Sequence, residues 1–320
     1  MNASPSDEYP NRVPESVQVS VCMTTYNHAQ FIEEAVQSVL EQETHFPFEI
    51  CLGEDESNDG TREICIRFAQ KYPEIIRLFL RHRKDVIHIN GRPTGRYNFT
   101  QTLKAARGKY IALLEGDDRW GDPKKLQIQY DVLEQNPNVA ACYHDAFYIR
   151  DEKETSETVL RPVNRRNFSA RELMTTRSMF LTLSLFFRNN PVIQDFPVEG
   201  LRACNGDRFL GALLGSFGSG LYLPQIQQGF YRVHSGGIWS QVQNSEKNMG
   251  SLTTWFWLSN YYQRTKAPPY LFRALKSRCM EEILAELSLS DRLKIIFQFF
   301  SHSLVSAVRR LVDRSSKNEN

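Results

Sequence analysis

The chain contains 320 residues, enough for one large domain or for a main domain with an appendage. Hydrophobic residues make up 41% of the chain and charged residues 24%, which is typical of a folded soluble protein. The 39 Lys and Arg residues nearly balance the 37 Asp and Glu residues, so the net charge of +2 gives no global field that would favour nucleic-acid binding. We therefore expect no nucleic acid among its partners.

The cysteines and the N-terminal segment indicate a reducing, cytosolic location. Six cysteines lie far apart with no CxxC pair, which favours free, mostly buried thiols over a disulfide framework or a zinc site. Residues 1–16 are polar and rich in proline, a composition typical of a disordered lead rather than a signal peptide. No apolar run approaches the roughly 20 residues of a membrane span. We expect a protein of the cytosol or of the cytosolic face of a membrane.

Apolar periodicity in the first half of the chain predicts alternating strands and helices. The strands are expected at 17–23, 48–54, 76–80, 109–115 and 138–144, and the helices at 28–41, 61–72, 96–107 and 123–137. Alternation at this spacing predicts an α/β fold with a mostly parallel sheet that has helices on both faces. Ligands of such sheets bind beyond the carboxyl ends of the strands. The turns after Met23, Leu52 and Leu114 are therefore the places to look for a site.

The second half of the chain is harder to interpret. Segment 145–180 is polar and charged, and its pattern assigns no element to it. Farther along, the pattern predicts strands at 181–187, 221–223 and 229–233, a helix at 207–215, and helical structure from 251 to 314 with a break at Pro268 and Pro269. We divide the chain into a lead (1–16), a catalytic domain (17–245, with halves 17–145 and 146–245) and a helical C-terminal region (246–320).

The turn after the first strand is Thr24-Thr25-Tyr26-Asn27, and it contains no glycine. A dinucleotide-binding turn would need GxGxxG, and a P-loop would need GxxxxGK[ST]. Their absence argues against NAD-linked and P-loop functions. An aromatic platform at Tyr26, together with hydroxyls, still suits a nucleotide, although a purely structural polar turn is an equal alternative.

Two further turns carry clustered carboxylates. Residues 54–59 (EDESND) hold four acids, and a carboxylate there can accept from uracil N3–H or from ribose hydroxyls. Asp59, before Gly60 and Thr61, equally suits a structural helix start. After the fourth strand come Glu115, Gly116, Asp117 and Asp118. Adjacent carboxylates at the end of a buried strand are costly unless a divalent cation such as Mg²⁺ or Mn²⁺ pairs with them.

These motifs together resemble the catalytic core of the family 2 glycosyltransferases, the GT-A fold, over residues 17–145. The matching pieces are VSVCMTTYNHAQFIEEAVQSVLEQ, EDESNDGT, GKYIALLEGDDRW and PKKLQIQYDVLEQNP. The resemblance implies that the first two turns hold the nucleotide sugar through Thr24, Tyr26, Asn27, Glu54, Asp55 and Ser57, and that Asp117 of the third turn binds it as well. It also implies that the metal-binding DxD-type motif falls on Asp117 and Asp118. Family members more often have Asp where this chain has Glu54.

Two pieces of the resemblance lie farther along the chain. Asn205-Gly206-Asp207 stands where family members carry the general base, so the resemblance implies that role for Asp207, with a helix cap as the structural alternative. Residues 231–240 (YRVHSGGIWS) resemble a late Tyr-Arg-x-His segment, which makes His234 a candidate contact of the metal or the diphosphate.

The resemblance implies an inverting, metal-dependent glycosyltransferase with a nucleotide diphosphate sugar donor, UDP-sugar by preference, and a surface-glycan or lipid-linked acceptor. One alternative is a catalytically inactive protein that binds a nucleotide sugar or carbohydrate. Another is a sugar nucleotidyltransferase, which would need a Gly-rich, Arg-containing loop in place of TTYNHAQ.

The C-terminal segment 291–314 has apolar residues at three- and four-residue steps and basic residues near its ends. Such a helix suits peripheral contact with an anionic membrane. Packing against the chain's own domain, or against a second copy in a homodimer, is the alternative.

Overall fold

The computed structural model describes residues 8–177, 180–236 and 244–286. By compactness the chain divides into one unit that extends to Phe272 and a second that begins at Arg273. No helix in the described ranges is both long and apolar enough to cross a membrane. The predicted tail 291–314 lies outside the described residues.

The strands of the structure follow the predicted order with small shifts of their ends. They are β1 (Val19–Thr25), β2 (Phe48–Glu54), β3 (Ile76–Leu80), β4 (Ile87–Ile89), β5 (Arg92–Thr94), β6 (Tyr110–Glu115), β7 (Val139–Tyr143), β8 (Ala146–Arg150), β9 (Lys153–Thr158), β10 (Phe186–Arg188), β11 (Ser219–Tyr222) and β12 (Gly229–Val233).

The helices include the four predicted in the first half of the chain. They are α1 (Ile32–Leu40), α2 (Thr61–Lys71), α3 (Arg96–Ala105), α4 (Lys125–Gln135), α5 (Ala170–Met174), α6 (Pro191–Gln194), α7 (Val198–Arg202), α8 (Gly206–Leu214), α9 (Asn244–Arg264) and α10 (Pro269–Glu286). The last of these spans the boundary between the two compact units.

A seven-stranded sheet in the order β11-β7-β10-β6-β1-β2-β3 forms the core. Its neighbouring strands are parallel except at β10, which runs antiparallel to β6 and β7. The predicted mostly parallel α/β sheet is therefore confirmed. The apolar runs of β1, β2 and β6 are fully or almost fully buried, as strands covered on both faces must be.

Segment 145–180, to which the sequence pattern assigns no element, contributes to a second, three-stranded sheet. β8 pairs in parallel with β12 and antiparallel with β9. Four of the six residues of β9 are exposed and two are partly buried, with no two-residue alternation, which is why its polar sequence does not indicate a strand. This small sheet brings β12 next to the turn after β6, where the backbones of Arg119 and Phe230 pair.

One predicted strand differs in the structure. The strand expected at 181–187 is wrong in its first half, because Thr182–Ser184 form a 3-10 turn and β10 begins at Phe186. Side chains in and just before α4 donate hydrogen bonds to the carbonyls of that turn. Trp120 Nε1 donates to Leu183 O, and Gln129 Nε2 donates to Ser184 O. The domain boundary expected at 245 stays a prediction.

Candidate functional site

The three turns singled out in the sequence meet at one edge of the main sheet. β1 lies between β2 and β6, and the paired positions at their carboxyl ends are Thr25 with Glu54 and Thr24 with Glu115. Because parallel strands end at the same edge, the acidic turns after β2 and β6 flank the turn after β1. The side chain of Thr24 is partly buried at this edge.

The turns after β1 and β2 are held together by hydrogen bonds. The backbone N–H of Asn27 donates to Ser57 Oγ at 2.9 Å, and Asn27 Oδ1 accepts the N–H of Asn58 at 3.1 Å. Asp59 accepts the N–H of Ala29 at 3.0 Å. Asn27 has a φ of +54°, a left-handed conformation that Asn tolerates better than most residues. The structure thus places Asn27 and Ser57, predicted as nucleotide contacts, as ties between the two turns.

Glu54, another predicted nucleotide contact, shapes the turn that follows it. Its side chain is fully buried, and its two oxygens accept the backbone N–H groups of Glu56 and Ser57 at 3.2 and 2.6 Å. Arg62 also donates to it. A charged acceptor with these donors is stabilised in place. Accepting these hydrogen bonds requires a carboxylate. Glu54 therefore supplies the carboxylate at a position where family members more often carry Asp.

Asp55 differs from Glu54 in having one oxygen without a partner. Asp55 is 2% exposed, and its Oδ2 accepts from Arg83 Nη1 at 2.8 Å. Its Oδ1 is buried with no hydrogen-bond partner among the described residues. Burial raises the pKa of Asp55 and the charge of Arg83 opposes that shift. A buried acceptor in this state is poised for a donor group from a ligand.

Tyr26 stands beside this carboxylate and is 38% exposed. The guanidinium of Arg83 lies 4.2 Å from the centre of the Tyr26 ring. Arg83 therefore links the exposed aromatic ring to the buried carboxylate. Sequence reasoning did not single out Arg83, which lies 28 residues from Asp55 in the chain.

The turn after β6 carries the acidic residues Glu115, Asp117 and Asp118. Asp118 is buried, and its Oδ1 accepts the backbone N–H of Arg232 at 2.9 Å. Burial, then the charges of Asp117 and Glu115, raises the pKa of Asp118. Arg232 Nε donates to the carbonyl of Asp117, and Arg232 Nη2 to Glu34 Oε2. This arginine fixes β12 against the acidic turn.

His234, two residues beyond Arg232, lies at the predicted position beside the acidic turn. Its Nε2 is 3.1 Å from Asp117 Oδ2. A second histidine, His28, has its Nε2 3.8 Å from the same oxygen. Burial acts to raise the pKa of Asp117, but hydrogen bonding to His234 and the charge of His28 lower it.

The sequence analysis missed His28. The signal available for it was its position three residues after β1 ends, which places it on the same sheet edge as Asp117. Ligand atoms of His28, Asp117 and His234 lie within 4.8 Å of one another, so this cluster is able to hold a metal ion. Asp118 is not part of it.

Asp207, the predicted general base, lies in the first turn of α8. Desolvation, followed by the negative charges of Asp117 and Asp207, raises the pKa of Glu115. The helix-cap alternative for this segment is weakened, because the cap residue Asn205 makes no side-chain hydrogen bond to the helix and instead pairs with Thr254.

Comparison with known proteins places this arrangement in a wider group. Residues 20–190 match the model of the family described as "Glycosyl transferase family 2". An uncharacterised protein of Mycobacterium tuberculosis is 31% identical over 229 residues, which cover 72% of this chain and 62% of that protein. The chain thus spans about three fifths of the length of this relative.

Solved structures show the same fold. Residues 1–349 of TarS from S. aureus in complex with UDP-GlcNAc superpose with a TM-score of 0.56 at 13% identity, covering 86% of this chain and 77% of that TarS chain. The mannosyltransferase PcManGT from Pyrobaculum calidifontis, in complex with GDP-Man and Mn²⁺, gives a TM-score of 0.52 at 17% identity. The match covers 92% of this chain and 83% of PcManGT. The predicted GT-A fold is confirmed by these likenesses.

Proposed function

This chain belongs to glycosyl transferase family 2, and on that premise we propose that it moves a sugar from a nucleotide diphosphate donor to an acceptor hydroxyl with inversion at the anomeric carbon. The observation that carries the proposal is the group of His28, Asp117 and His234, whose ligand atoms lie within 4.8 Å of one another. This group supports a divalent-ion site at the carboxyl edge of the sheet, beside the turns that we expect to bind the nucleotide.

The nucleoside binds at Asp55 and Tyr26. The ring of Tyr26 offers a stacking face, and Asp55 Oδ1 offers a buried acceptor. Arg83 already donates a hydrogen bond to Asp55 Oδ2, so the other oxygen of Asp55 remains for the nucleobase. One acceptor suits the single N3–H of uracil better than the adjacent N–H donors of guanine, which supports a UDP-sugar donor. The similar structures of TarS with UDP-GlcNAc and of PcManGT with GDP-Man mean that both UDP-sugars and GDP-sugars must be tested as donors.

The diphosphate lies toward Asp117 and His234. A carboxylate oxygen and an imidazole nitrogen 3.1 Å apart fit two adjacent ligands of one divalent ion. When bound, such an ion (Mn²⁺ or Mg²⁺) would neutralise the negative charge that develops on the leaving nucleoside diphosphate. We keep Asp118 as a predicted ligand, although its Oδ1 accepts from Arg232 in the structure.

Asp207 is the general base in this proposal. Its carboxylate accepts the proton of the acceptor hydroxyl while that oxygen attacks the anomeric carbon from the face opposite the diphosphate. With one base and no enzyme nucleophile, a single displacement inverts the configuration. Burial and the negative charges of Asp117 and Asp207 raise the pKa of Glu115, which favours the neutral form of Glu115.

The acceptor that we propose is a hydroxyl of a growing surface glycan or a lipid-linked sugar, met on the cytosolic side of the membrane. The proposal of this acceptor follows the family resemblance, whereas a peripheral location of the chain follows the apolar and basic pattern of segment 291–314. A homodimer is the alternative use of the C-terminal segment 291–314.

A donor screen tests the function. The full chain is incubated with UDP- and GDP-sugars, with Mn²⁺ or with EDTA, and nucleotide release and sugar transfer to simple acceptors are recorded. We expect release from one UDP-sugar that EDTA abolishes, and a product of inverted configuration by proton NMR. Tight UDP binding with no turnover on any donor would favour the second candidate, a catalytically inactive nucleotide-sugar-binding protein.

A further inference from the structure

His28 lies where a third protein ligand of the metal ion would stand. Its Nε2 is 3.8 Å from Asp117 Oδ2, and His234 Nε2 is 3.1 Å from the same oxygen. The two imidazole rings are nearly perpendicular, with centroids 5.9 Å apart and planes at 83°. Adjacent ligands on one ion with bonds of about 2.1 Å are separated by roughly 3.0–3.5 Å. The observed separations are close to that range.

The other ring nitrogen of His28 is accounted for. Nδ1 lies 3.3 Å from Thr25 Oγ1, and the backbone N–H of His28 donates to Thr61 Oγ1 at 2.8 Å. These contacts turn Nε2 toward Asp117. Metal-binding histidines typically have the second ring nitrogen held by a partner in this way.

Gly116 leaves room for this ring. A Cβ at Gly116 would lie 2.5 Å from Thr25 Oγ1 and 3.1 Å from His28 Nδ1. A side chain at 116 would therefore disturb the hydrogen bond that orients His28. The glycine between Glu115 and Asp117 thus has a steric role in the same cluster.

A purely structural role for His28 accounts less well for the geometry. At 3.8 Å the Nε2 of His28 is too far from Asp117 for a hydrogen bond. A bridging ion would give that nitrogen a direct partner.

We propose that His28 is a ligand of the ion bound at Asp117 and His234, and that this pair of imidazoles selects a transition-metal ion over Mg²⁺. Imidazole nitrogen suits transition-metal ions such as Zn²⁺, Fe²⁺ and Ni²⁺ best, and Mn²⁺ accepts it more readily than Mg²⁺, which strongly prefers oxygen ligands and retains its waters. The assignment of the ion to a sugar diphosphate rests on the proposed function, but the cluster itself does not.

The test is metal binding by the full chain without nucleotide and again with UDP. Mn²⁺ and Mg²⁺ affinities are measured by calorimetry, and the visible spectrum of bound Co²⁺ reports its ligands. His28→Gln keeps an amide that can hydrogen-bond Asp117 but removes the imidazole. The matched control is His45→Gln, an exposed histidine in the loop before β2, at the opposite end of the sheet.

We expect wild type and His45→Gln to bind Mn²⁺ more tightly than Mg²⁺. His28→Gln should lose at least the roughly 10–100-fold in Mn²⁺ affinity that losing a supporting partner of a ligand costs, and its Co²⁺ spectrum should change. The Mg²⁺ affinity should change far less. Thermal unfolding of the three proteins checks that all are folded.

An unchanged Mn²⁺ affinity and Co²⁺ spectrum in His28→Gln would overturn the proposal, as would a wild type that binds neither ion with or without UDP. UDP binding in EDTA and sugar transfer are recorded separately. If these fail while the metal site responds to His28, the proposed function is wrong and the ligand assignment stands.

Discussion

The guanidinium of Arg96 lies directly against Gly206, so that a Cβ added at Gly206 would be 2.4 Å from Arg96 Cζ. Arg96 is buried and donates to the carbonyls of Gly200 and Cys204, at 2.6 and 3.2 Å. One arginine of α3 therefore holds the chain that leads into α8, and Asp207 follows immediately.

Gly206→Ala should displace either Arg96 or the start of α8. We expect a destabilisation of about 1–3 kcal/mol from overpacking and a fall in kcat on the order of 100-fold from misplacement of Asp207. Steady-state kinetics and urea unfolding measure the two effects. Gly95→Ala is the control, because a Cβ at Gly95 meets no atom within 4 Å. Equal kinetics in the two variants would show that this packing does not position Asp207.

Asp207→Asn should leave UDP affinity within the error of the measurement and lower kcat by the roughly 10²–10⁴-fold typical of losing a general base. The side chain keeps its size but cannot accept a proton. Calorimetry with UDP and a transfer assay across pH 6–9 separate binding from chemistry. A variant with wild-type kcat over that range would place the base elsewhere.

Asp55→Asn should weaken UDP binding, since a charged acceptor of a buried hydrogen bond contributes about 1.5–3 kcal/mol, or roughly 10–150-fold in Kd. Calorimetry in EDTA isolates this effect from the metal. Asp59→Asn is the comparison, because its carboxylate is occupied by the N–H groups of Ala29 and Thr61. A larger loss of affinity in Asp59→Asn than in Asp55→Asn would contradict the assignment of the nucleoside to Asp55.

Asp117→Asn and Asp118→Ala should both abolish transfer, but they should do so differently. Asp117 faces His28 and His234, so its amide variant should lose Mn²⁺ binding. Asp118, predicted as a ligand, also accepts the N–H of Arg232, and its loss should free β12 as well. Mn²⁺ titration and hydrogen exchange at Arg232 measure the two effects. Wild-type turnover by Asp118→Ala in excess EDTA would end the metal assignment.

Glu49→Gln should destabilise the fold without touching the site. Glu49 is fully buried and accepts from Ser20, Arg107 and Arg77. Burial acts to raise its pKa, but the hydrogen bonds of Ser20 and Arg107 outweigh it and lower the pKa below 4.5. The stabilisation is therefore fully present above about pH 4.5 and is lost as the pH falls through the lower folded-state pKa.

The expected loss at pH 7 is about 3–5 kcal/mol, the cost of breaking a buried pair. Urea unfolding of wild type and variant at pH 7 and below pH 4 measures it, and the difference should shrink at the lower pH. Glu33→Gln is the control, since Glu33 pairs with Arg67 on the surface and should contribute under about 1 kcal/mol. A pH-independent difference would contradict the lowered pKa.

The sequence by itself determined the alternation of strands and helices and the edge of the sheet that carries the site. Apolar runs such as those of β1 and β6 indicate burial on both faces, and parallel strands must then end at one edge. That reasoning placed Tyr26, Asp55 and Asp117 together, and the family resemblance added Asp207 and His234.

The tertiary structure decided which partner each polar group takes. A buried carboxylate or amide requires a partner, but its spacing in the sequence does not say which one. Asn27 and Ser57 lie 30 residues apart and bind each other, whereas Asp55 keeps an unpartnered oxygen. His28 became a member of the metal cluster because β1, β6 and β12 converge there, and that convergence depends on contacts about 90 to 200 residues apart in the chain.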